Sequence, residues 1–136
     1  MKTYVLDANA MVRFMNRTLD AARIKALFDQ AGTGDAKLAI SVVNWGEVIY
    51  TMAKRIGLAR ATADLRSLGA ALDTVGVEED MAEEAAALKF NFKLGFADSF
   101  AAALAIGMNA TLVTADPDFA KLGKRLKLLK LQRFSG

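Results

Sequence analysis

The chain has 136 residues, 54% of them apolar, carries a formal charge of +3, and contains neither cysteine nor histidine. Length and apolar content suit one domain, 1–136, with a sizeable core. The missing residue types exclude disulfides, thiolate metal sites, the usual zinc ligands and any nucleophile that needs a histidine base.

In chain order, Met1-Lys2 leads directly into Thr3-Tyr-Val-Leu6, a short β-type run, so no secretory signal is expected. Asp7-Ala-Asn9 follows at once and opens a helix through Ala10–Met15. A second helix is expected from near Thr18, with Ile24, Leu27, Phe28 and Ala31 at helical spacing. The turn Gly32-Thr-Gly34-Asp35 ends it and lacks the GK[ST] ending of a phosphate-cradling loop. Lys37–Ile40 reads as a second strand and Ser41 as a helix cap. Trp45, Val48, Ile49, Met52, Ala53 and Ile56 then form an apolar stripe, with Glu47 beside it. Leu58, Ala61, Leu65, Leu68 and Leu72 predict one further amphipathic helix, and Thr74–Val77 a short strand.

Glu78-Glu-Asp80 starts a helix on Met81, Ala85, Leu88 and Phe92, with acids at its positive end. The segment Ala97–Gly107 is nearly all apolar after Asp98, which predicts a buried helix. Thr111–Thr114 reads as a buried strand, followed by Asp116 and a short helix from Pro117 through Leu122. Leu126–Leu131 closes the pattern as a partly exposed strand. The longest apolar run, Phe100–Met108, is far short of the ~20 residues a membrane span needs. Strands alternating with helices predict an α/β domain with a mainly parallel sheet, and sites at the carboxyl ends of its strands.

Charge is unevenly divided. Residues 1–120 hold 12 Lys and Arg against 15 Asp and Glu, whereas 121–136 hold six basic residues and no acid. A basic terminal segment beside an acidic body suits a polyanion drawn toward carboxylates. Lysines guarding an edge strand against aggregation account for the same pattern.

Asp7 and Asp116 fall where strands end; Glu47 and Asp98 fall in the early turns of helices. Taken singly, each has a structural explanation. Asp7, Asp98 and Asp116 could cap helices, and Glu47 could complete a capping box. Taken together, four carboxylates at one sheet edge would repel and raise each other's pKa. Mg2+ or Mn2+ on these oxygens resolves that conflict and can activate water for phosphodiester cleavage. Asn9 and Thr114 are candidate neutral partners. Ser99 reads as a helix-terminal hydroxyl, and the remaining acids as solvated faces.

Asp7-Ala-Asn9, Glu47, Ala97-Asp98 and Leu112-Val-Thr-Ala-Asp116-Pro-Asp-Phe119 together resemble a PIN domain. In size and order the chain is most similar to the VapC-type toxin ribonucleases of toxin–antitoxin pairs. The resemblance implies a three-layer α/β/α sandwich and a metal-dependent endoribonuclease, and the absence of cysteine is compatible with the expected reducing, cytoplasmic setting. It implies that Asp7, Glu47, Asp98 and Asp116 bind Mg2+ or Mn2+, with Asn9 and Thr114 as polar accompaniment. It also implies a homodimer and a cognate antitoxin protein; Asp118 stays outside the core site. Two alternatives stand beside this reading. One is a non-catalytic RNA- or protein-binding module on the same fold. The other is an aspartyl phosphatase at Asp7, which Asn9 disfavours because that chemistry wants a second aspartate there.

Overall fold

The alternation builds five strands and six α-helices in the computed structural model, which describes residues 1–132. In order these are β1 (Lys2–Leu6), α1 (Ala8–Asn16), α2 (Ala21–Gly32), β2 (Ala36–Ser41) and α3 (Val42–Ile56). Then come α4 (Leu58–Arg66), β3 (Asp73–Val75), α5 (Glu79–Phe92), α6 (Phe96–Gly107), β4 (Thr111–Thr114) and β5 (Lys127–Lys130). Short 3-10 segments cover Gly69–Ala71 and Pro117–Arg125.

The strands form one sheet in the order β3-β2-β1-β4-β5, and every neighbouring pair is parallel. The chain runs outward from β1 to β3, then crosses back to place β4 on the other side of β1. The topological switch point therefore lies between β1 and β4, where open parallel sheets place their ligands.

Alternating side chains feed two cores. Tyr4, Leu6, Leu38, Ile40 and Val113 face one way, toward Met11, Ile24, Val48 and Leu65 of α1–α4. Val5, Ala39 and Leu112 face the other, toward Leu88 of α5 and Phe100–Ala105 of α6. This is a three-layer α/β/α sandwich. In α6, Ala101, Ala102 and Ala105 are fully buried, as its apolar sequence predicts. Their small side chains let the helix backbone lie close to the sheet, which holds its first turn firmly against the strand ends.

Three boundaries differ from the sequence reading. Helix α2 starts at Ala21 rather than near Thr18, because Arg17 (φ 56) and Asp20 (φ 65) adopt left-handed backbone between the two helices. The expected single helix over 58–72 stops at Arg66, since Gly69 turns left-handed (φ 54) inside the 3-10 segment. Gly123, also left-handed, kinks the segment after Pro117 before it reaches β5. The other elements fall within a few residues of their expected bounds. Among the described residues no helix is long and apolar enough to cross a membrane. Arg133, the last cation of the basic segment, lies outside the described residues.

Candidate active site

Asp7 leaves β1 at the switch point and is 3% exposed. One carboxylate oxygen caps α1 by accepting from the Ala10 N–H at 2.8 Å. The other accepts from the Thr114 hydroxyl at the end of β4. That hydroxyl in turn accepts from the Asp116 N–H at 3.0 Å. Thr114 thus bridges the two strand ends and fixes both aspartates. Asp116 caps the Pro117 segment by accepting from the Asp118 N–H at 2.9 Å.

Asp98 behaves differently. It lies in the first turn of α6, whose cap is Gly95, and its carboxylate has no hydrogen bond among the described residues. It folds back over Gly95 so closely that a Cβ there would sit 2.9 Å from Oδ2. Any larger residue here would have to displace that carboxylate, and the constraint comes from close approach, not from backbone angle. The capping explanation for Asp98 is thereby removed.

Glu47 projects from α3 as an exposed side chain. The helix cap is Ser41, accepting from the Val43 N–H, so Glu47 lies well beyond the position a capping-box glutamate would occupy. Asn44, fully buried, donates from Nδ2 to Glu47 at 3.4 Å and to the Ala97 carbonyl at 3.2 Å. It ties the Glu47 turn of α3 to the first turn of α6. The two acceptors on one side fix the amide orientation, and Oδ1 is left buried without a partner. Sequence reasoning missed Asn44, because its partner Ala97 is 53 residues away; its buried position one turn before Glu47 is the only local signal.

The electrostatics join these groups. Burial pushes Asp7 from 3.8 up to about 6, opposed by its bonds to Thr114 and Ala10 and reinforced by the charges of Asp98 and Asp116. Burial likewise raises Asp98 to about 6, and the charges of Asp116, Glu47 and Asp118 add to it. All four predicted acids therefore share one field, and Asp118, left outside the core site on sequence, contributes to it. Asn9 sits exposed at the second position of α1 and makes no side-chain hydrogen bond among the described residues. Ser99 donates to the Gly95 carbonyl at 2.9 Å, a helix-terminal hydroxyl as expected.

These residues fit a hard divalent cation. The donors are all oxygens: the Asp98 carboxylate is unbonded, Asp116 and Glu47 each accept on one oxygen, and Asp7 accepts on both. Among the described residues, no three acids are drawn into a ready-made ligand cage.

Comparison with known proteins agrees with the geometry. The chain resembles VapBC2 from Rickettsia felis, solved bound to a DNA fragment from its promoter, at 23% identity and a TM-score of 0.76, covering 96% of this chain and 99% of that one. DNA-bound VapBC from Salmonella typhimurium is 17% identical with a TM-score of 0.74, over 96% and 98% of the two chains. VapC20 from Mycobacterium tuberculosis, described as a sarcin–ricin loop cleaving toxin, is 17% identical with a TM-score of 0.70, over 90% and 95%. These likenesses establish the shared fold. No curated protein matches the chain. The PIN domain family model matches residues 4–125, from the middle of β1 to the end of the 3-10 segment before β5. With that span matched, the chain belongs to the PIN domain family.

Proposed function

We propose that this chain is a Mg2+- or Mn2+-dependent endoribonuclease and the toxin of a cytoplasmic toxin–antitoxin pair. The observation that carries the reading is the unbonded Asp98 carboxylate, held in a common field with Asp7, Glu47 and Asp116. Asp7, Glu47, Asp98 and Asp116 would hold the cation, which when bound supplies an activated water and neutralises charge at the phosphate. Asp7 is the rigid member, with each carboxylate oxygen tied to a different element. Asp116 spends one oxygen on its cap and keeps the other for the site. Asn44 and Thr114 are positioning residues: they orient carboxylates rather than touch substrate. Raised proton affinity at Asp7 and Asp98 makes proton release part of cation binding.

The structural relatives support the partners. A sarcin–ricin loop cleaving toxin has this fold, which favours RNA as substrate. VapBC complexes have it too, which favours a cognate antitoxin; a homodimer is proposed with it. Asp98→Asn should fold normally, bind Mn2+ weakly and lose cleavage of an RNA panel by more than about a hundredfold, since even supporting residues of metal sites account for 10–100-fold. Wild-type cleavage by that variant, with contaminating nuclease removed, would sink the assignment. The absence of a closed ligand cage among the described residues favours a second reading, a non-catalytic RNA- or protein-binding module. Metal-independent RNA binding with no cleavage by the wild-type chain would establish it.

A further inference from the structure

Beside Asp116 lies a hollow of about 210 Å3, walled by Thr114, Ala115, Pro117, Ala120, Leu128, Lys130 and Leu131. Its walls are mostly apolar, and it is smaller than the ~300–1,000 Å3 of pockets that enclose drug-sized ligands. It is on the scale of one planar ring system. Lys130 is its one cation. As the last residue of β5 it stands in register with Thr114, on the same face of the sheet. The hollow therefore begins where the acid cluster ends.

The backbone around Lys130 is unusually well held for an edge strand. The Leu131 N–H donates to the Thr114 carbonyl at 2.8 Å. Arg23 donates to the Lys130 carbonyl at 3.2 Å, and the Gln132 N–H donates to Asp20 at 2.7 Å. Arg13 binds both Asp20 and the Gln132 carbonyl. Meanwhile the Lys130 side chain has no carboxylate partner among the described residues, although an acid cluster lies one strand away. The scaffold fixes the base of this side chain and leaves its charge available.

We propose that this hollow is a nucleotide subsite: it takes the base of a residue flanking the scissile phosphate, while Lys130 holds that residue's phosphate. The inference rests on the nuclease reading above and names where its substrate strand leaves the metal site. Apolar walls of Pro117 and Ala120 suit the faces of a base, and a lysine supplies a point charge for phosphate. A strand lying from Asp98 across Asp116 to Lys130 would pass from cation-neutralised acids to a protein cation, so no phosphate faces a bare carboxylate.

Two variants test it. Lys130→Gln removes the charge, and Ala120→Trp fills the hollow from an exposed position. Each is compared with wild type for cleavage of RNA oligonucleotides that vary the flanking base, and for anisotropy of a labelled single-stranded RNA in Ca2+. Lys130→Gln should raise KM and Kd about tenfold, leave kcat within twofold, and lower the salt slope of binding by about one. Ala120→Trp should raise KM similarly and flatten the preference for the flanking base. Unchanged KM, Kd and base preference in both folded variants would overturn the subsite. Absence of cleavage by the wild type would instead overturn the nuclease reading, and the Ca2+ binding comparison would still decide the subsite.

Discussion

The two ends of this sheet make an instructive pair. At the amino ends of β1, β4 and β5 lies the larger hollow, about 660 Å3, bordered by Lys2, Thr3, Asn109 and Lys127. It holds no acid, and its cations are engaged: Lys127 donates to the Asn109 carbonyl at 3.1 Å, and Lys2 sits over the Tyr4 ring. The carboxyl ends offer a third of that volume beside Asp116, yet they gather four acids, two of them pushed up to about 6. Volume does not separate the two ends as clearly as uncompensated charge does. The reason is topological. Helices that follow parallel strands all start from the carboxyl edge, so caps, helix dipoles and first-turn acids collect there.

The sharpest way to break this contrast is Thr114→Val, which keeps shape but removes the bridge between the strand ends. It leaves a buried Asp7 oxygen and the Asp116 N–H without partners, so stability should fall by about 1–3 kcal/mol. Affinity for Mn2+ should fall by about 10–100-fold. Thermal unfolding and calorimetry would report the two losses; an unchanged Mn2+ affinity would mean the bridge does not orient the acids.

Proton linkage gives the next test. Asp7 binds its proton more tightly folded than unfolded, so its contribution to metal-free stability is fully present below about pH 4 and lost as pH rises through about 6. That loss is on the order of 3 kcal/mol. In chelator above pH 6, Asp7→Asn should therefore melt higher than wild type, and added Mn2+ should reverse the order. Wild-type Mn2+ affinity should rise across pH 5 to 7 as the two aspartates deprotonate. Equal melting of the two proteins in chelator at pH 7 would refute the burial argument.

Gly95→Ala should act through Asp98 alone. Its Cβ displaces a carboxylate 2.9 Å away, lowering Mn2+ affinity by about tenfold with little change in melting temperature. The smallest effect belongs to the other end of the sheet. Lys2→Ala and Lys127→Ala should leave cleavage within about twofold of wild type, as surface changes away from special features do little. A large loss there would erase the distinction between the two ends.

Much of this arrangement was legible in the sequence. Asp7 and Asp116 were readable because one follows a β-type run directly and the other one residue later, and Asp98 because the apolar residues after it could only belong to a buried helix. The stripe from Trp45 to Ile56 located Glu47 beside the core. Other features were not readable, for specific reasons. Leu68 and Leu72 continue the spacing of Leu58–Leu65, so periodicity carried the helix past Arg66, while the left-handed turn at Gly69 decides the matter locally. Asn44 acquires its role from a partner 53 residues away, and no local pattern encodes such a contact. Asn9 is exposed on the helix that Asp7 caps and makes no side-chain hydrogen bond among the described residues.

The clamp at Asp20 has a consequence for how the sheet is completed. Its bond to the Gln132 N–H joins residues 112 apart in sequence, and β5 pairs only with β4. Closing so long a loop is entropically costly and slow compared with local contacts. The last strand is thus locked by a carboxylate contributed near the beginning of the chain, in the manner of a clasp. Severing it by Asp20→Ala also strands the buried Arg13 without its carboxylate, so stability should fall by about 3–5 kcal/mol, and the loosened edge of β4 should open to strand addition by other chains.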